Sequence, residues 1–309
     1  MASASTPDPL PATELPAPYG SGPAGTGTSA ASTDPQSTGP TGSSPVKRVR
    51  THHLQAAKDN GSKFAMLTAY DQYAAQIFDE AGIEVLLIGD SAANNVLGYQ
   101  TSLPITMDEM VIFSRAVSTA AHRAVVVADL PFGSYEASPA QAIESSVRLM
   151  KEGRVHAVKM EGGAYYADTV RALTAAGIPV MAHIGFTPQS EHALGGYRVQ
   201  GRGAAQQALV DDAVALAEAG AFCVLMEMVP AEAAAAVDAA VRVPTIGIGA
   251  GKATTGQVLV WQDMAGLRTG HIAKFVKQYA DLHSVLANAA AAFGDDVRNG
   301  TFPGPEHSF

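Results

Sequence analysis

A single cysteine, Cys223, in 309 residues rules out an intrachain disulfide and any structural zinc site built on several thiolates. That scarcity fits a reducing cytoplasm. Charge is also sparse: Asp, Glu, Lys and Arg make up 16% of the chain, and 20 basic against 29 acidic residues leave a formal net charge of −9. No dense block of Lys and Arg interrupts this acidic balance, which removes nucleic acid and anionic membranes as natural partners and points to small molecules. No run of about 18 apolar residues marks a membrane span. The first 46 residues lack apolar periodicity and are dominated by Ser, Thr, Pro, Gly and Ala. They also lack the charged start and apolar centre of a secretory signal, and no arginine precedes Arg48. Such a composition buries too little surface to offset its ordering entropy, so residues 1–46 are expected to form a disordered tail and residues 47–309 the folded domain.

What the chain has is a repeated event. The run Val85-Leu86-Leu87-Ile88 ends in Gly89-Asp90-Ser91, Ala124 to Asp129 reads AVVVAD, and Ala157 to Glu161 reads AVKME. Pro179 to His183 reads PVMAH, and Cys223 to Glu227 reads CVLME. Short runs of this kind are strands buried on both faces, as in a parallel sheet. Each delivers a polar group, Asp90, Asp129, Glu161, His183 or Glu227, at the strand's C-terminal end. An unpaired buried carboxylate is costly, so the same expense repeated at corresponding positions marks a site.

Between these runs lie helical stretches: Gln72 to Ala81, Met107 to Ala121, Pro139 to Glu152, Ala164 to Ala176, Ala204 to Ala219 and Ala231 to Val241. A further short helix precedes them at Thr51 to Lys58, and more helix fills the last fifty residues. Strands at Phe64 to Tyr70, Pro244 to Gly249 and Gln257 to Trp261 bring the count to eight. Eight strand–helix repeats in this length predict a (β/α)8 TIM barrel with its active site at the C-terminal rim. An open doubly wound sheet competes, but only closure brings acids from the second, third, fourth and sixth strands around one point. Gly247-Ile248-Gly249-Ala250-Gly251 lacks the G-x-G-x-x-G spacing of a dinucleotide loop, and reads as a phosphate-like or close-packing turn. Lys159 and Glu161 are two apart, so in a strand they share a face.

Thr68-Ala69-Tyr70-Asp71, Gly89-Asp90-Ser91, Ala128-Asp129-Leu130-Pro131-Phe132, Lys159-Met160-Glu161-Gly162-Gly163, Gly185-Phe186-Thr187-Pro188-Gln189-Ser190, the stretch Gly196 to Gly203, Gly247 to Gly251 and Glu306-His307-Ser308 occur in one order. In these motifs the chain, over about residues 50–309, resembles the ketopantoate hydroxymethyltransferase family. The resemblance implies transfer of a one-carbon unit from 5,10-methylenetetrahydrofolate to 3-methyl-2-oxobutanoate, giving 2-dehydropantoate in pantothenate biosynthesis. It implies Mg²⁺ held at Asp90, Asp129 and Glu161, and substrate contacts from Asp90, Ser91, Asp129 and Lys159. Glu227 matches the family's proton acceptor, and a homo-oligomer, a decamer in well-known members, is implied as well. Between Met226 and Met228, desolvation would raise the Glu227 pKa towards a range useful to a base.

Some residues stay open. His183 contacts substrate, orients a neighbour or is a hydrogen-bonded core histidine. Arg198 and Arg202 receive the anionic tail of a folate or support an oligomer contact. Tyr70 and Asp71 have no role beyond packing at the rim. Two departures from the family pattern, Glu191-His192 and Arg154-Val155, bear on affinity more than on activity. Two other readings compete: a Mg²⁺-dependent enolate enzyme of the phosphoenolpyruvate mutase and isocitrate lyase group, and a non-catalytic metabolite-binding barrel. Against the lyase, Cys223 lies in a strand rather than a loop; against the silent barrel, Lys159, Glu161 and Glu227 are all present.

Overall fold

The computed structural model describes residues 47–309; the tail expected over residues 1–46 lies outside them. Eight parallel strands close on themselves in sequence order: β1 Phe64–Thr68, β2 Val85–Ile88, β3 Val125–Asp129, β4 Ala157–Glu161, β5 Val180–Gly185, β6 Cys223–Glu227, β7 Thr245–Ile248 and β8 Gly256–Leu259. Closure is made by β8 against β1, with Phe64 opposite Gly256 and Met66 opposite Val258. The helices are α1 Thr51–Asp59, α2 Gln72–Glu80, α3 Ala92–Asn95, α4 Met107–Ala120, α5 Pro139–Lys151, α6 Ala167–Ala175, α7 Glu191–Leu194, α8 Ala205–Glu218, α9 Ala231–Ala240, α10 Trp261–Met264 and α11 Leu282–Asn299. The expected barrel is therefore the observed one, and every helix foreseen between strands is present.

Local chemistry sets the helix starts. Asp71, unassigned from sequence, caps α2 by accepting from the N–H groups of Tyr73 and Ala74, both at 2.9 Å. Thr106 and Glu109 cap α4 reciprocally, and Ser138 caps α5 ahead of Pro139 in its first turn. Most limits shift by a residue or two, and one differs in kind: Trp261, read as the end of the last strand, begins α10. Its N–H donates to the Thr68 hydroxyl at 3.0 Å, which turns the chain off β8 across the top of β1.

Two cores result from the alternation of side chains along each strand. Leu86, Ile88, Val126, Val158, Met160, Val224 and Met226 point outward and pack under the helices. Val85, Leu87, Val125, Val127, Ala157, Met181, Cys223, Leu225 and Ile246 fill the barrel interior, which Leu54 of α1 plugs from below. Filled layers of this kind make the barrel a solid support rather than a pore. Gly247 to Gly251 proves to be a close-packing turn: a Cβ on Gly249 would stand 2.9 Å from the Phe275 ring, and one on Gly251 would stand 2.6 Å from Ala231.

Candidate active site

In β3, β4, β5 and β6 the inward phase runs from apolar to polar at the C-terminal end. Val125 and Val127 are followed by Asp129, Ala157 by Lys159 and Glu161, Met181 by His183, and Cys223 and Leu225 by Glu227. The register sets Asp129 opposite Lys159 and Glu161 opposite His183. Asp90 arrives one residue beyond the inward Gly89, where a Cβ would lie 2.5 Å from the Ser91 hydroxyl. Glycine there leaves room for Ser91 to fold back, and the Ser91 hydroxyl meets that of Tyr70 at 2.8 Å. Tyr70, expected only to pack at the rim, thus fixes Ser91.

The structure brings all six sequence-predicted residues to this end of the barrel. Asp90, Asp129, Lys159 and Glu161 are buried. The Lys159 Nζ lies 2.7 Å from Asp129 Oδ1 and 3.7 Å from Glu161 Oε1. Asp129 Oδ2 accepts from the Asp90 N–H at 3.0 Å. His183, left open above, lies between two acids: its Nδ1 is 3.1 Å from Glu161 Oε1 and its Nε2 3.6 Å from Glu227 Oε2. A carboxylate only accepts, so Nδ1 is the donor and Nε2 presents its lone pair towards Glu227. No hydrogen-bond partner for Nε2 is found among the described residues.

Burial and mutual repulsion dominate the electrostatics. Desolvation, then the charge of Glu161, pushes the Asp90 pKa up; Lys159 and the Gln189 amide oppose the shift. Asp129 and Glu161 are raised chiefly by burial as well, with Lys159 pulling the other way. Burial disfavours the Lys159 ammonium, yet Asp129, Glu161 and Asp90 together hold its pKa above the usual range. Burial drives the His183 pKa well down, so the imidazole is neutral. Glu227 is raised to about 8 by burial first and by Glu161 second, the direction expected from its neighbours. Its side chain keeps 17% exposure, so it is the acid that a molecule entering from the mouth can reach.

Three carboxylates against one ammonium leave excess negative charge in a dry site, and all the donors are hard oxygens. That set fits a hard divalent cation. No three His, Cys, Asp or Glu side chains among the described residues close into a cage of their own. Mg²⁺ does not require one, since it commonly takes one or two carboxylates and completes its octahedron with substrate and water.

Sequence reasoning missed Gln189 and Tyr135. Gln189, in the turn after β5, donates from its side chain to Asp90 Oδ2 and to the Leu130 carbonyl, both at 2.9 Å. Its backbone N–H donates to Glu161 Oε2 at 3.0 Å, and the Tyr135 hydroxyl donates to its Oε1 at 2.6 Å. Gln189 stands inside a motif quoted for the resemblance, but its partners are 28 to 99 residues away in sequence and nothing local announces them. At the mouth, the exposed Tyr197 ring stacks on buried Phe186 with centroids 4.8 Å apart. Of the two departures, Glu191 opens α7, and Arg154 adopts φ of +61°, a region that favours glycine.

Comparison with known proteins places this geometry. The sequence profile of the ketopantoate hydroxymethyltransferase family matches residues 48–305. A protein of Paenarthrobacter aurescens named 3-methyl-2-oxobutanoate hydroxymethyltransferase is 69% identical over 309 residues, covering 100% of both chains. A Nocardioides protein of the same name is 66% identical over 266 residues, 86% of this chain and 90% of its own. Among solved structures, phosphonopyruvate hydrolase in complex with oxalate and Mg²⁺ superposes with a TM-score of 0.54 at 17% identity, over 84% of this chain and 93% of that one. 2,3-Dimethylmalate lyase superposes with a TM-score of 0.52 at 18% identity, over 83% and 92%. At such identity the last two show a shared fold.

Proposed function

The chain belongs to the ketopantoate hydroxymethyltransferase family, and from that premise we propose that it moves a hydroxymethyl group from 5,10-methylenetetrahydrofolate to 3-methyl-2-oxobutanoate, giving 2-dehydropantoate for pantothenate biosynthesis. Asp90, Asp129 and Glu161 would hold Mg²⁺, which would supply Lewis acidity towards the substrate ketone and so make the neighbouring C–H more acidic, an effect worth several kcal/mol at such sites. Lys159 and Ser91 hold the keto acid's carboxylate and oxygens. Glu227 takes the C3 proton, and the resulting enolate carbon forms a bond to the folate-borne methylene as one of its two C–N bonds breaks. Water then replaces the second nitrogen as that C–N bond breaks, supplying the hydroxyl, and tetrahydrofolate leaves with a proton on each nitrogen.

The observation that carries this reading is the placement of Glu227. It is the more exposed acid, its pKa near 8 suits a base acting around neutrality, and a neutral imidazole stands between it and Glu161 of the carboxylate cluster. The lyase-type alternative needs a reactive thiol, whereas Cys223 is buried inside the barrel with its thiol pushed up by burial. A homo-oligomer is supported by α11, which buries none of its residues and exposes Val285, Leu286, Phe293 and Val297. Among the described residues no helix is long and apolar enough to cross a membrane. A cytoplasmic location draws its support from the single, unpaired cysteine.

The test is isotope exchange without folate. In D2O with Mg²⁺, the protein should wash deuterium into C3 of 3-methyl-2-oxobutanoate, followed by proton NMR, because enolisation needs only the base and the ion. Absence of exchange from a complex shown to bind the keto acid would remove the proposed function.

A further inference from the structure

We propose that Gln189 is a positioning residue for the cation site, its amide setting which oxygen of Asp90 faces the ion; this rests on reading Asp90, Asp129 and Glu161 as the Mg²⁺ ligands. The orientation of the amide is determined at both ends. The Leu130 carbonyl can only accept, so Nε2 must face it, and the second hydrogen of Nε2 then reaches Asp90 Oδ2. At the other end the Tyr135 hydroxyl accepts from the Glu161 N–H at 3.3 Å and places its one hydrogen on the nearer acceptor, Gln189 Oε1 at 2.6 Å. With Oδ2 engaged, the other Asp90 oxygen is the one offered to a cation. The Gln189 backbone N–H meanwhile holds Glu161 Oε2 at 3.0 Å.

One buried residue on the loop after β5 thus ties down groups at the ends of β2, β3 and β4. Repelling carboxylates would otherwise rotate apart, and a site that binds Mg²⁺ demands near-octahedral geometry. Partners that orient ligands in this way typically govern metal affinity by about 10- to 100-fold. A purely structural glutamine would instead affect stability and leave ion affinity alone.

The experiment uses the full chain and Mn²⁺ alone, with binding read by electron paramagnetic resonance and Mg²⁺ measured by competition. Gln189→Leu keeps the volume and the backbone N–H but removes the amide. Its Mn²⁺ affinity should fall about 10- to 100-fold, and excess Mg²⁺ should restore most of its C3 exchange rate. Tyr135→Phe, which keeps the Gln189 amide but frees its Oε1 and the Glu161 N–H, should weaken Mn²⁺ several-fold. Wild-type Mn²⁺ affinity in folded Gln189→Leu overturns the proposal whatever the melting temperature. If that variant does not fold, wild-type affinity in Tyr135→Phe overturns it equally. Failure of the wild type itself to bind Mn²⁺ or Mg²⁺ would instead remove the metal reading, and this inference with it.

Discussion

At the N-terminal end of the barrel the buried carboxylate of Asp79 accepts from the backbone N–H groups of His122, Arg123 and Ala124 at 2.6 to 3.1 Å. At the C-terminal end Asp90, Asp129 and Glu161 are at least as buried; Asp129 and Glu161 share the ammonium of Lys159, Glu161 raises the Asp90 pKa, and Asp90 and Glu161 raise that of Asp129. The lower acid is met by donors that the fold holds in place, so its burial contributes to stability. The upper acids are charges that the protein alone leaves under-compensated. A cation and an anionic substrate would relieve them, which is the usual relation between a functional site and the scaffold that carries it. Substitutions at the two ends should therefore separate activity from stability.

The largest effect is expected at Glu227. Glu227→Gln preserves shape but cannot accept a proton, so C3 exchange and turnover should both fall by about 10² to 10⁴. Wild-type exchange should rise with pH and level off above about 8, as the carboxylate becomes ionised. The stability sign is opposite. With the folded pKa near 8 and the ordinary value 4.5, the folded state holds the proton more tightly, so stability present below pH 4.5 is lost as pH rises through 8. The glutamine variant escapes that loss and should melt higher than wild type at pH 8 to 9. Wild-type exchange by the variant would hand the base role to another group.

Next come Asp90→Asn and Asp129→Asn. Each should weaken Mg²⁺ and keto acid together, by about 100-fold or more, since even indirect disturbance of such ligands costs up to about that much. Melting temperature should hold or rise for Asp90→Asn, where a buried like-charge repulsion is removed, and fall for Asp129→Asn, which deprives the Lys159 ammonium of its nearest counter-charge. Calorimetric titration of the keto acid with and without Mg²⁺ measures the coupling, and affinity that ignores the ion would break the chelation account.

Asp79→Ala should do the reverse, destabilising the fold by about 3 kcal/mol as backbone donors lose their acceptor. Exchange per folded molecule should stay at the wild-type rate. Urea unfolding alongside the NMR assay checks both, and a loss of exchange in folded protein would erase the contrast between the two ends.

The smallest effect is expected at Arg154, an exposed residue with φ of +61°. A left-handed conformation costs an L residue about 1 to 2 kcal/mol, and glycine recovers part of that against its own greater freedom when unfolded. Arg154→Gly should raise the unfolding free energy obtained from urea titration by about 1 kcal/mol or less, with exchange unchanged.

The strand ends and their acids were legible because they depend on short-range pattern. Each run needs apolar residues on both faces, and the step to Asp129, Lys159–Glu161 or Glu227 keeps the period-two phase that points into the barrel. The starts of α2, α4 and α5 are likewise local, held by capping residues adjacent in the chain that the structure reveals. The roles of His183, Gln189, Tyr135 and Tyr70 were not legible in this way. Their partners lie 21 to 99 residues off, and a buried polar side chain in a strand or turn has the same sequence appearance whether it serves a site or merely satisfies the core.

By itself, then, the sequence determined the eight-stranded closed barrel, the rim on which function sits and the acids that project from it, because alternation and capping are decided by neighbours within a few residues. Only the tertiary structure decided that His183 stands between Glu161 and Glu227, that Ser91 is fixed by Tyr70, and that one glutamine holds two of the acids. Those arrangements exist because closure of the barrel brings distant strand ends together, and no local pattern encodes that proximity.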